Sequence, residues 1–253
     1  MNSPAATPSP EPVAGLSQAS RLANVFFSPT TTFTDIKRNP SWWAAWLVVG
    51  VFSVLFAFSM QQKIGWEQVT RTSIESSRMQ SEQWEKVPPD QRAAQMEIRT
   101  KATAAAWYGV PVLTLIFTIV FAALYLGVFN FGLGTEMSFQ TTLSVVFHAS
   151  LPEAIRWLLA AIALFAGASA EGFNPQNPVA TNLGFLPGLN RLEHPVLYAA
   201  ASSIDLFRIW SIILTGIGFS CVTKVKRSTA YAVAIAMYIV GIGIAVGLTA
   251  LAS

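Results

Sequence analysis

From residue 102 to residue 135 the chain carries not one aspartate, glutamate, lysine or arginine, and the same holds from residue 228 to residue 253. Nothing else constrains the fold as strongly. About 20 apolar residues coiled as an α-helix match the hydrocarbon thickness of a bilayer, where a backbone must hydrogen-bond to itself. Charged residues make up only 11% of the 253, and hydrophobic residues 53%. The charged share is under half of the roughly 25% usual in soluble domains. These features predict an all-α, polytopic membrane helical bundle.

Five spans are predicted, over about residues 42–60, 104–131, 139–168, 206–223 and 229–252. The third is too long for one straight crossing, since at ~1.5 Å per residue it would reach roughly 45 Å. Leu151-Pro152 lies inside it, so a break is expected there. Pro111, early in the second span, is tolerable where neighbouring helices satisfy the freed carbonyl. Residues 61–103 are polar and rich in helix formers on both sides of Pro88-Pro89, which reads as two surface helices with a sharp corner. The glycine, proline and asparagine of residues 171–195 carry turn chemistry, and another helix begins near Pro195.

Residues 1–20 are rich in proline, alanine and serine and lack the basic leader and apolar core of a signal peptide. They are predicted to be a disordered tail ahead of a membrane domain over 21–253. Next comes "FFSPTTTFTDIKRNPSWWAAW". Ser28 and Pro29 start a helix, and Asn39-Pro40 ends it. Phe33 and Ile36 share one face, with Asp35, Lys37 and Arg38 mostly on the other. This amphipathic helix is expected to lie at the interface with Phe33 and Ile36 in the headgroup boundary; the alternative packs it on protein. Trp42, Trp43 and Trp46 then mark the membrane interface.

Few ionisable groups fall within the spans: His148, Glu153 and Arg156 around the break, then Asp205 and Arg208 where the fourth span starts. Glu153 and Arg156 are three apart and can pair on a helix, with His148 able to join them. Asp205 and Arg208 have the same spacing. Such groups are costly in a membrane. They read as structural ion pairs, as a proton or substrate site at a broken helix, or as groups exposed at the interface. Gly216-xxx-Ser220 and Gly243-xxx-Gly247 offer small surfaces for helix packing. With two histidines and one cysteine, Cys221, no catalytic residue, metal site or cofactor is predicted. The basic residues form no stripe interleaved with aromatics, which excludes nucleic acid as a partner.

Three stretches, "FFSPTTTF" leading to "NPSWW", "VFHASLP" and "IDLFRIWSIILTGIGFSCVTKVKRSTA", give the chain a family likeness. The last, with Asp205, Phe207, Trp210, Gly216, Gly218 and Ala230, is the most specific, and "NPVATN" adds to it. The chain resembles the Yip family of Rab-interacting membrane proteins, in its bacterial branch, from about Arg21 onward. The resemblance implies a cytosolic N-terminal region followed by about five helical spans. For eukaryotic members it implies binding of Rab GTPases in vesicle traffic. A glycine-tyrosine-glycine pattern often precedes the proline of the third span in the family, and "FHASLP" stands here instead, so that role is not carried over.

Lysine and arginine counts beside the spans do not favour a cytoplasmic N terminus; the resemblance does. The expected location is a bacterial cytoplasmic membrane. Exposed two-faced helices without a catalytic set point to a non-enzymatic scaffold or adaptor. Its partners would be the bilayer, a membrane or cytosolic protein, and further copies of itself. The alternative is a small-solute or ion transporter using the broken third span.

Overall fold

The computed structural model describes residues 15–167 and 173–251. Every regular element among them is helical, and one isolated β-bridge pairs Asn182 with Asp205. The expected tail falls mainly on residues 1–14, outside the described residues. Its last part is already helix. Ser17 accepts a hydrogen bond from the Ser20 N–H at 3.1 Å and so caps α1 (Gln18–Phe27). The chain then turns at Ser28 into α2 (Pro29–Arg38), whose first turn holds Pro29 where no N–H is required.

α3 (Trp43–Lys63) is the first long apolar helix. Three polar helices follow rather than two: α4 (Trp66–Glu75), α5 (Arg78–Glu85) and α6 (Arg92–Tyr108). α6 stops at Gly109, so the second membrane helix is α7 (Val110–Gly127), shorter at its start than predicted and extended by a π turn over Val128–Gly132. Pro111 thus sits in a first turn, where its missing N–H costs no hydrogen bond. The predicted break is present, between α8 (Phe139–Ala149) and α9 (Pro152–Phe165). The last three helices are α10 (Pro195–Ser203), α11 (Leu206–Val222) and α12 (Arg227–Leu251). The predicted ends at residues 168 and 252, and the start of the turn-rich stretch at 171, lie outside the described residues.

Among the described residues, four stretches are long and apolar enough to cross a membrane: Trp43–Lys63, Val110–Gly132, Phe139–Phe165 and Arg227–Leu251. α11, at 17 residues, is apolar but shorter. α3 packs along α9, α7 along α8, and α11 sits against α2, α8, α9 and α12. One core gathers Phe33, Ile36, Phe129, Phe147 and Phe219; a second joins Phe56 and Met60 of α3 to Ala160 and Leu164 of α9. The outer faces of α7 and α12 stay apolar, with Phe117 61% and Leu248 64% exposed. An apolar surface of that extent is matched to lipid rather than to water.

Candidate functional site

Tertiary packing brings two interruptions of helical backbone to adjoining cavities, the α8–α9 break at Ser150-Leu151 and the α10–α11 break at Ile204-Asp205. Ser150, Glu153 and Arg208 line one groove of about 550 Å³. Arg156, Asp205 and Arg208 line an adjoining cavity of about 220 Å³. The depth follows from Tyr238, whose hydroxyl donates to the Ser203 carbonyl at the end of α10. Tyr238 is about 16 Å along α12 from Arg227 and about 20 Å from Leu251, and the adjoining cavity reaches on to Thr249, close to the C-terminal end of α12.

Each charged group in this polar layer has a defined position. Arg156 Nε donates to Glu153 Oε2 at 2.8 Å, and its guanidinium lies 4.4 Å from the Trp157 ring centroid. Asp205 is buried at the head of α11, where Oδ1 accepts from the N–H groups of Phe207 (2.9 Å) and Arg208 (3.3 Å). Its Oδ2 accepts the Thr181 hydroxyl at 2.6 Å. Three jobs therefore fall to one carboxylate: it satisfies orphan N–H groups, offsets the positive helix end and ties down a loop. That loop is held in turn by Asn177 and Asn182, paired through their side chains, and by Asn174 and Asn177 donating to the Tyr198 hydroxyl.

Sequence spacing located Glu153, Arg156, Asp205 and Arg208. It missed Thr181, Asn177, Asn182, Tyr198 and Tyr238, because an Asn/Thr-rich loop has many local ways to satisfy itself. Only the bridge between Asn182 and Asp205 shows which one operates. His148 does not join the Glu153–Arg156 pair. Its ring is fully buried in α8, and Nδ1 donates to the Ser144 carbonyl at 2.8 Å, one turn back. The expected Asp205–Arg208 ion pair also does not form among the described residues; Asp205 turns to the backbone instead.

At the opposite end of α11, Phe33 and Ile36 are both 0% exposed. They face the core between α2, α8 and α11, so the expectation that they dip into headgroups is corrected. A neighbouring apolar core was available to that face, and burial there removes it from water and lipid alike. The two tryptophans divide. Trp42 turns inward and stacks on Phe147 at 5.5 Å, whereas Trp43 stays 53% exposed on the outer surface. Of the small-residue positions, Gly216 is in tight contact: a Cβ there would lie 2.2 Å from Tyr231 Cδ1. Ser220 is half-buried and donates to the Ile217 carbonyl within its own helix. Gly243 and Gly247 have nothing within 4 Å of an added Cβ, so they do not pack helices within this chain. Among the described residues α12 packs mainly on α10 and α11, which leaves that face turned outward.

A model of the Yip1 domain matches residues 23–250. The chain belongs to the Yip1 domain family. No curated protein and no solved structure matches it. Within this Yip1 domain the most specific sequence stretch has a structural purpose at each of the six positions that carry the likeness. Asp205 caps α11, and Phe207 is buried behind it. Trp210 meets the edge of Phe26 at 5.4 Å. Gly216 and Gly218 admit Tyr231 and Phe33, and Ala230 is buried where α12 starts. The "NPVATN" loop supplies Asn177, Thr181 and Asn182 to the polar layer. The matched domain is an integral membrane bundle whose charged groups are organised by helix ends.

Proposed function

We propose that this Yip1 domain protein is a non-enzymatic membrane adaptor that presents α4, α5 and α6 to a protein partner. The observation that carries this reading is the surface of those helices. α4 and α6 pack on each other, α5 has no buried residue, and α6 buries only Met96. Their charged groups are held in one pattern by exposed pairs, Arg71–Glu67 at 2.6 Å and Lys101–Glu97 at 2.7 Å. Such pairs add little stability, and a fixed arrangement of charge suits recognition. Five crossings, counting α10 and α11 together as the fourth, would place α2 on one side and α4–α6 on the other. The setting is a bacterial cytoplasmic membrane with a cytoplasmic N terminus, and self-association through the open face of α12 is consistent with it.

Replacing α5 with a glycine-serine linker tests this reading, since no residue of α5 is buried. Crosslinking in native membranes, followed by mass spectrometry, should show loss of a stoichiometric partner while the folded protein persists. An unchanged set of crosslinked partners would overturn it.

A second reading, transport of a small solute or ion, rests on the meeting of two broken helices beside Glu153. Discontinuous helices often frame substrate sites at the midplane. Glu153→Gln should then abolish flux in proteoliposomes without loss of folded protein.

A further inference from the structure

The groove and the cavity beside it adjoin one another. Arg208 and Ala245 line both. α7 supplies one wall of the groove and α12 the other, with α8 and α11 forming the floor between them. The lining is apolar along most of its course, through Leu113, Phe117, Phe121, Ile212, Met237 and Ile242. On α7 it runs from Val110 to Tyr125, about 22 Å of helix, and the half-thickness of a hydrocarbon core is roughly 15 Å. The groove is therefore long enough for an acyl chain.

Chemistry changes at its upper end. The adjoining cavity is lined by Arg156, Arg191 and Arg208 together with Asn and Tyr side chains. Arg156 is neutralised by Glu153, and Asp205 brings the second carboxylate. Among the described residues, three guanidinium groups and two carboxylates line the two cavities. Arg191 donates to the neutral Gln176 amide at 2.5 Å, and neither it nor Arg208 enters an ion pair among the described residues. Two buried hydroxyls on the same path also lack a hydrogen-bond partner, Ser202 Oγ in the cavity wall and Ser211 Oγ in the groove. Unpaired hydroxyl donors beside a cluster of arginines suit an anion with several acceptor oxygens.

We propose that this space binds one anionic diacyl phospholipid of the phosphatidylglycerol type. Its phosphate sits at Arg208 and Arg191, its polar head among the asparagines and Tyr198, and one acyl chain lies between α7 and α12. An apolar groove that ends at a cavity lined by three arginines matches an amphiphile carrying one negative charge. The proposal does not rest on the adaptor reading, although Arg191 and Thr249 also line a space beside Ser77 and Arg78 at the start of α5.

The test uses the full chain purified in mild detergent, with native mass spectrometry as the readout. Three probes are titrated: phosphatidylglycerol, phosphatidylcholine with the same chains, and glycerol phosphate. Phosphatidylglycerol should be retained one to one and in preference to phosphatidylcholine. Arg191→Gln with Arg208→Gln should cut that preference roughly tenfold or more, since each arginine near a lipid phosphate is worth about a fivefold change. Arg208→Lys, which keeps the charge, should retain most of the preference and guards against a folding defect. Gly241→Leu, which narrows the groove without touching a charge, should weaken both lipids alike. Equal retention of the two lipids would overturn the proposal, as would a preference unchanged in the double variant. Glycerol phosphate bound as tightly as the lipid would do so too, because the site would then be one for a soluble anion.

Discussion

Phe33 of α2 and Gly218 of α11 meet where only a hydrogen atom fits between them. A Cβ on Gly218 would lie 3.0 Å from Phe33 Cε1 and 2.6 Å from Val145 Cγ1. The glycine is thus what lets α2 settle against the bundle and bury Phe33 completely. Gly218→Ala should destabilise the protein by ~1–3 kcal/mol through overpacking. Phe33→Ala, which opens a cavity in the same place, should cost ~3–5 kcal/mol. Unfolding of both variants in mixed micelles checks the pair. A negligible loss for Phe33→Ala would mean that this ring is not core.

Gly216 offers a sharper version of the same test. An added Cβ would clash with the Tyr231 ring at 2.2 Å. Gly216→Ala should lower stability by ~1–3 kcal/mol, and Tyr231→Ala in the same molecule should relieve much of that clash. A double-mutant cycle with a coupling energy near zero would contradict the close α11–α12 approach.

Arg21 is 0% exposed and its Nε lies 2.7 Å from Asp35 Oδ2, while Nη1 and Nη2 have no partner among the described residues. Removing the carboxylate strands a buried cation. Asp35→Asn should therefore cost ~3–5 kcal/mol. Arg21→Met with Asp35→Leu should cost much less, because both charges leave together. Equal losses in the single and double variants would show that shape rather than charge governs the α1–α2 contact.

The bond from Thr181 to Asp205 joins a loop to the start of α11. Asp205→Ala removes the helix cap as well and should cost ~1–2 kcal/mol, with faster hydrogen exchange at the Phe207 and Arg208 amides. Thr181→Val should leave those amides protected and expose only the loop. Similar exchange in the two variants would remove the cap from this account.

On α6, outside the membrane segments, the hydrogen bond from Lys101 and then its charge hold the Glu97 carboxyl below the ordinary value of 4.5. A depressed carboxylate contributes stability above its unfolded value and loses it as the pH falls through the lower folded value. The second turn of α6 should therefore loosen only in acid below that ordinary value. A titration followed by NMR should also show Glu97 moving up towards its ordinary value in Lys101→Gln.

How far each element could be read from the chain depended on where its partners lie. Pro152 announced the α8–α9 break, because proline disrupts a helix wherever it falls in the interior. The Glu153–Arg156 pair was equally local, three residues apart on one helix. Phe33 and Ile36 were different. Periodicity placed them on one face of α2 but not what covers it, and lipid or protein satisfies such a face equally well. For Gly243 and Gly247 the sequence likewise could not name a partner, since small residues permit a close approach without requiring one, and within this chain nothing meets them. α1 went unread because its apolar residues Leu22, Val25 and Phe26 adjoin a proline-rich stretch with tail-like composition.

By itself the sequence determined that this is an all-helical membrane bundle, that the third apolar stretch breaks at Pro152 and that Glu153 pairs with Arg156 one turn on. These properties follow from hydropathy, proline geometry and helical spacing, all of which act over a few residues. Tertiary structure decided that α2 is core rather than membrane surface, that Asp205 bonds Thr181 rather than Arg208, and that two breaks share one polar layer. Each of those depends on a partner far away in the chain, and a polar or apolar group accepts any partner of suitable shape until packing selects one.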